Sequence, residues 1–126
     1  MKIITGNASK GGHYSPAVIS HGMLYVSGQL PVDHRTGALV PGGVAEQTNA
    51  ALQNMEQVLK SAGITKESVV LCHVYVPDVK LWDEVNRVYA EFFGGHKPAR
   101  VVVPTTELHH GAQVEIEAMA EMPEED

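Results

Sequence analysis

The sequence predicts an α+β fold in which two helices cover one face of a mixed β-sheet. Strand-like and helix-like segments follow one another in the order β-β-α-β-α-β-β, with no internal repeat and no low-complexity linker between them. The 126 residues match the size of one domain, and the 44% hydrophobic and 19% charged content is that of an ordinary globular chain. We therefore expect one domain over residues 1–126, ending in a frayed acidic tail at about residues 122–126.

The first two strands are predicted to form an antiparallel hairpin. Ala17–Ser20 and residues 23–27 are short strand-like runs, and His21 with Gly22 supplies a two-residue connection. Glycine and proline then recur through residues 31–43, which predicts a loop.

Helical periodicity accounts for two later segments. In residues 44–62, apolar side chains return every three or four positions, which places them on one helical stripe. The same spacing runs from about residue 80 to residue 93, with Asp78 as a plausible cap and Gly94 as the stop.

Three more strands complete the expected sheet. Residues 68–76 are rich in β-branched side chains and predict a central strand, and residues 99–103 form a short run between two prolines. Residues 113–121 alternate strictly, so one side carries the small and aliphatic residues Val114, Ile116, Ala118 and Ala120.

A sheet covered by helices on one side leaves its other side open unless that side is polar or meets another subunit. Several strand residues are too apolar for solvent, namely Tyr25, Val70, Cys72, Val74 and Val102. The sequence therefore predicts a homo-oligomer.

Charge and composition argue against several functional classes. Lysine and arginine number 9 against 15 acidic residues, so the formal net charge of −6 repels phosphate backbones and anionic lipid, and we expect no nucleic-acid partner. The single Cys72 excludes an internal disulfide framework and agrees with a reducing compartment. No signal-like start or membrane-length apolar run occurs, so we expect a soluble cytoplasmic protein without a membrane partner.

No common catalytic or metal motif is present. Phosphate loops, dinucleotide turns, nucleophile elbows and HExxH pairs are missing, and the Cys and His residues lack zinc-ligand spacing, so we expect no metal. Cys72 is better interpreted as a small buried hydrophobe than as a reactive thiol. His109 and His110 are either a solvated pair or the rim of a pocket.

Arg100 stands among valines, where its guanidinium needs an anion. Two interpretations remain open. Arg100 forms an internal ion pair with Glu115 or Glu117, or it grips the carboxylate of a ligand. Glu115 is likewise either a solvated outer-face residue or, within a pocket, an acid or base.

Taken together, these segments resemble the RidA family, also called YjgF/YER057c/UK114. The resemblance runs in order through nearly the whole chain, and its last two segments are the most specific. The segments that carry it are Gly12-His-Tyr14-Ser-Pro-Ala17, Tyr25-Val-Ser27-Gly28-Gln29 with Gly37, Asn86, Tyr89-Ala-Glu-Phe-Phe93, Pro98-Ala99-Arg100 and Val114-Glu115-Ile116-Glu117-Ala118.

The resemblance implies a chorismate-mutase-like fold and a homotrimer with a cleft between each pair of subunits. It implies hydrolytic deamination of reactive 2-imino or enamine acids to 2-keto acids and ammonia, as by a 2-iminobutanoate/2-iminopropanoate deaminase, without a cofactor. By the same resemblance, Arg100 holds the substrate carboxylate and Glu115 orients a water. The implied substrate-binding residues are Tyr14, Ser27, Gly28, Asn86 and Val102.

Two other functions stay open at this point. One is a non-catalytic module that binds small keto acids or other carboxylates and regulates a partner. The other is the ribonuclease or translation-inhibitor activity ascribed to some relatives, which the acidic balance disfavours. The chain departs from the family pattern at His13, Pro16, Val101-Val102 and His109-His110, which bears on the choice of substrate.

Overall fold

A computed structural model describes residues 1–6 and 12–124. In that part of the chain, six strands form one sheet in the order β1-β2-β3-β6-β4-β5. Strands β4 and β5 are parallel, and the other neighbours are antiparallel, so the mixed sheet with two helices is confirmed. The elements are β1 (Lys2–Ile4), β2 (Ala17–Ser20), β3 (Met23–Gln29), α1 (Val44–Ser61), β4 (Val69–Val76), α2 (Trp82–Phe93), β5 (Ala99–Pro104) and β6 (Glu115–Glu121).

Both helices bury the stripe that their periodicity predicts. The buried side of α1 includes Leu52, Met55 and Leu59, and that of α2 includes Val85 and Phe92. These side chains join the inward-facing residues of the sheet in one hydrophobic core. Among residues 1–6 and 12–124, no helix has the length and apolarity to cross a membrane.

Helix α2 begins two residues later than its periodicity suggests. A single 3₁₀ turn, Val79–Leu81, precedes it, and the Asp78 carboxylate caps that turn by accepting a hydrogen bond from the Lys80 N–H at 2.9 Å. Asp78 therefore caps the turn that leads into α2, whereas the N-cap of α2 itself, Leu81, makes no side-chain cap hydrogen bond.

Strand β1 was not expected from the sequence. It pairs antiparallel with β2 at the edge of the sheet, and only Ile4 of its three residues is buried. Three residues are too few to show an alternating pattern, so the strand exists because β2 offers it a partner.

The hairpin between β2 and β3 is confirmed. Ser20 pairs with Met23, and the two residues between them have positive φ angles, 52° at His21 and 76° at Gly22. Both angles suit the two-residue turns whose twist matches that of the flanking strands.

The open face of the sheet differs from the expectation at three positions. Cys72 and Val74 are 0% exposed beneath the helices, and Val102 packs against the same core. Side chains alternate along a strand, and these three residues fall on the covered side, so they do not argue for an uncovered apolar face.

What the open face does carry is mixed in character. Tyr25 is 41% exposed and Val70, at a register irregularity of β4, is 37% exposed. The other open-face side chains are Leu71, His73, Tyr75, Val101, Val103, Glu115, Glu117 and Met119. The homo-oligomer remains a prediction.

The end of β6 stays tied to the sheet one residue beyond the strand. The Met122 N–H donates to the Gly22 carbonyl at 2.9 Å, and the side chain packs against the core. Of the expected acidic tail, residues 125–126 lie outside the described residues.

Candidate functional site

Arg100 forms no internal ion pair with any described residue. Its Nη1 donates to the Asn86 side-chain oxygen at 2.8 Å, and no described carboxylate lies within ion-pair distance. The first interpretation of Arg100, an ion pair with Glu115 or Glu117, is therefore wrong for this chain. Asn86 is neutral, so the guanidinium keeps its full charge for an anion from elsewhere.

Two aromatic rings of α2 hold the guanidinium in place. The Arg100 carbon Cζ lies 4.8 Å from the centre of the Tyr89 ring and 5.4 Å from that of Trp82. Neither ring was predicted from the sequence to belong to a site. Trp82, Asn86 and Tyr89 are spaced i, i+4 and i+7, which places them on one helical face, and this spacing was the available signal.

A cavity of about 470 Å³ opens beside Arg100. It is lined by Asn86, Tyr89, Ala90, Phe93, Gly94, His96, Lys97, Pro98 and Arg100. None of these lining residues is acidic, and two are cationic, so the cavity suits a small anion.

Glu115 belongs to a second group, together with Gly28. A Cβ atom on Gly28 would lie 2.7 Å from Glu115 Oε2, so any larger residue there would displace this carboxylate from its present position. Gly28 lies within the register irregularity between Val26 and Gln29 of the β3–β6 ladder. The glycine thus accommodates the acid directly.

The position of Glu115 is supported from α1. The buried Gln47 accepts, through Oε1, a hydrogen bond from the Gln113 N–H at 2.8 Å. This bond fixes the chain two residues before Glu115, where β6 starts.

The remaining predicted residues divide between the two groups. Tyr14 and Gly28 line a cavity of about 420 Å³ together with His109 and His110, which are exposed and lie at its rim. The Ser27 hydroxyl donates to the Ser15 carbonyl at 2.5 Å and anchors the loop that carries Tyr14.

Arg100 and Glu115 lie on opposite faces of the sheet. Arg100 is paired with Cys72 and Glu115 with Tyr75, and these two β4 residues are three positions apart. An odd separation on a strand means opposite sides, and Arg100 accordingly contacts α2. Asn86 and Val102 lie on the side of Arg100. One copy of the chain therefore does not bring Arg100 and Glu115 to the same small molecule.

The two acids of β6 differ in their surroundings. Burial, and then the nearby charge of Glu117, raise the pKa of Glu115, while His109 acts in the opposite direction. The hydrogen bond from Tyr75, assisted by one with His73, lowers the pKa of Glu117. Glu115 is thus the acid of the pair that holds a proton more readily.

Two other sequence hypotheses concern cysteine and metal. Burial raises the pKa of the Cys72 thiol, which agrees with the buried-hydrophobe interpretation. In the described part of the chain, no three His, Cys, Asp or Glu side chains are grouped so that they could hold a metal ion.

Comparison with known proteins gives a consistent family assignment. The model of the family described as Endoribonuclease L-PSP matches residues 5–122. A RutC family protein of Pyrococcus horikoshii is 40% identical over 94% of both chains, and the 2-iminobutanoate/2-iminopropanoate deaminase of Rattus norvegicus is 42% identical over 86% of this chain and 80% of its own. The solved structure of a putative endoribonuclease from Thermotoga maritima superposes with a TM-score of 0.92 at 34% identity, covering 98% of this chain and 99% of the other. The chain therefore belongs to the Endoribonuclease L-PSP family, which is the RidA/YjgF family that its sequence resembles.

Proposed function

We propose that the protein hydrolyses small reactive 2-imino acids, and the enamines in equilibrium with them, to 2-keto acids and ammonia. The observation that carries this proposal is the state of Arg100, which is charged, oriented by Asn86 and two rings, and unpaired with any described acid beside a cavity. A planar guanidinium in that state matches the two oxygens of a substrate carboxylate. The relatives named as imine deaminases support the reaction class.

The complete site requires two copies of the chain. Arg100, Asn86 and Val102 would come from one copy, and Tyr14, Gly28 and Glu115 from the next, because the two groups lie on opposite faces of one sheet. Identical head-to-tail contacts close into a ring, and we propose the homotrimer that the family resemblance implies. The open face with Tyr25, Leu71 and Met119 supplies apolar area for such a contact.

The reaction needs positioning and one acid–base group. With the carboxylate held by Arg100, the C2 atom of the imine would lie beside a water next to Glu115. Water adds to C2 of the protonated imine, and a C–O bond forms while Glu115 takes one proton from the water, which gives a carbinolamine. Glu115 then gives that proton to the amine nitrogen, the C–N bond breaks, and ammonia leaves as the hydroxyl releases its proton to solvent and becomes the carbonyl of the 2-keto acid. The raised pKa of Glu115 suits a group that both accepts and donates.

The test is a trapping assay. 2-Iminobutanoate is generated from 2-aminobutanoate by an amino-acid oxidase in the presence of semicarbazide, and active protein lowers the yield of semicarbazone. We expect Arg100→Ala to lower kcat/KM by about 10²-fold or more, because the substrate is no longer positioned. Arg100→Lys should recover little of the lost activity, since a lysine keeps the charge but lacks the planar pair of N–H donors that matches a carboxylate.

Arg87→Ala is the matched control. Arg87 lies on α2 as well, but it is exposed and pairs with Glu84 and Glu91. It should retain wild-type activity. Equal activity of Arg100→Ala and wild type would contradict the proposal. If the wild type binds keto acids saturably but shows no turnover, the binding-module hypothesis replaces it.

A further inference from the structure

Three polar side chains form a hydrogen-bonded group on the open face, beside Glu115. The Tyr75 hydroxyl donates to Glu117 Oε1 at 2.5 Å, and His73 Nδ1 lies 2.9 Å from the same oxygen. In the β4–β6 ladder, His73 stands opposite Glu117, whereas Tyr75 stands opposite Glu115. The Tyr75 hydroxyl therefore bypasses its direct neighbour Glu115 and bonds to the acid two residues further along.

The neighbouring acids Glu115 and Glu117 differ in the hydrogen bonds that they accept. Glu117 receives both bonds, and no hydrogen bond from residues 1–6 or 12–124 ends on the Glu115 carboxylate. The two side chains lie on the same face, two residues apart, which corresponds to about 7 Å along a strand. A carboxylate fixed as an anion at that distance opposes the ionisation of a half-buried acid.

The directions of the pKa shifts agree with the geometry. The pKa of Glu117 lies below its usual value because of the Tyr75 bond, and that of Tyr75 rises to about 12 because of the same bond. The pKa of Glu115 is raised by burial and by Glu117, against the influence of His109. Environments that move the pKa values of two neighbouring acids in opposite directions suit one of them to proton transfer and the other to the role of an anion.

The other groups around the pair do not cancel this effect. Strand β5 presents the uncharged Val101 and Val103 opposite His73 and Tyr75, and β3 presents Tyr25. His109, on the loop before β6, is the one opposing group among the described residues that shift the pKa of Glu115.

We propose that Glu117 is a positioning residue of the reaction: fixed by Tyr75 and His73, its negative charge keeps on Glu115 the proton that the departing nitrogen needs. The proposal rests on the acid–base role proposed for Glu115. It predicts a specific electrostatic link between two acids of one strand, and the link is measurable without turnover.

The test follows the side-chain carboxyl carbons of ¹³C-labelled glutamate by NMR across pH, with the Glu115 signal assigned by Glu115→Gln. In Glu117→Gln, the pKa of Glu115 should fall, and the acidic limb of kcat/KM should move to lower pH with it. Glu121→Gln is the matched control, because it removes the same charge from the same strand at about 20 Å from Glu115. It should leave the pKa of Glu115 unchanged.

A second variant covers the case in which Glu117→Gln does not fold. Tyr75→Phe removes one donor and should raise the pKa of Glu117. The proposal is overturned if Glu115 titrates at the same pH in wild type and Glu117→Gln, or if Tyr75→Phe leaves the pKa of Glu117 unchanged. A failure of the proposed function is distinguishable from a failure of this proposal. NMR reports the effect of Glu117 on the pKa of Glu115 even if the wild type has no deaminase activity.

Discussion

A guanidinium in a strand of valines has to find an acceptor, and Arg100 finds a neutral one. The bond to Asn86 orients the group without neutralising it, and the rings of Tyr89 and Trp82 lie within cation–π distance of its Cζ atom. A carboxylate in the place of Asn86 would have oriented Arg100 equally well but would have cancelled its charge. Because Asn86 is an uncharged amide, Arg100 keeps the charge with which it can bind a carboxylate.

Gly28 gives a second test at the level of single residues. In Gly28→Ala, the new Cβ would lie 2.7 Å from Glu115 Oε2, so the carboxylate has to move. A displacement of about 1 Å costs on the order of 10²-fold in rate, and we expect a loss of that size in kcat/KM. The free energy of unfolding should stay within about 1 kcal/mol of wild type, as measured by chemical denaturation.

Gly95→Ala is the corresponding control, because nothing lies within 4 Å of the Cβ position there. It should change neither activity nor the position of Glu115. Full activity in Gly28→Ala would show that the carboxylate does not act from this position.

At the level of elements, strand β6 serves the core and the site at once. Its alternation buries Ile116, Ala118 and Ala120 beneath the helices and leaves Glu115 and Glu117 on the open face. A shift of one residue in its register would exchange the two sets, so the core itself fixes which face carries the acids. Helix α2 works in the same way, since its buried stripe fixes where Asn86 points.

Gln47 tests how α1 supports the start of β6. Gln47→Leu keeps the size of the buried side chain but leaves the partly buried Gln113 N–H without its acceptor. We expect the free energy of unfolding to fall by about 1–3 kcal/mol. Gln53→Leu, on an exposed position of the same helix, should change it by less than about 0.5 kcal/mol in the same urea titration. Equal effects of the two variants would contradict a supporting role for the Gln47 bond.

At the level of the whole molecule, the division of the site between two faces has a quantitative consequence. Arg100→Ala and Glu115→Gln should each be inactive as pure proteins. If the two are unfolded together and refolded at equal amounts, each mixed trimer regains one intact site of three, and about a quarter of wild-type activity should return. A site within one chain would give no recovery, and sedimentation would report the assembly in the same samples.

Local patterns along the chain are enough to predict the two helices, five of the six strands, the hairpin turn and the family, because periodicity, glycine positions and ordered motifs do not depend on distant contacts. Strand β1 was not predicted, because a strand of three residues is defined by its partner strand rather than by its own sequence pattern. The sequence also left open which acceptor Arg100 uses, placed Cys72, Val74 and Val102 on the wrong side of the sheet, and named Glu117 only as an alternative ion-pair partner of Arg100. These points depend on which residues stand opposite one another across strands that are distant in sequence, and only the tertiary structure fixes that pairing.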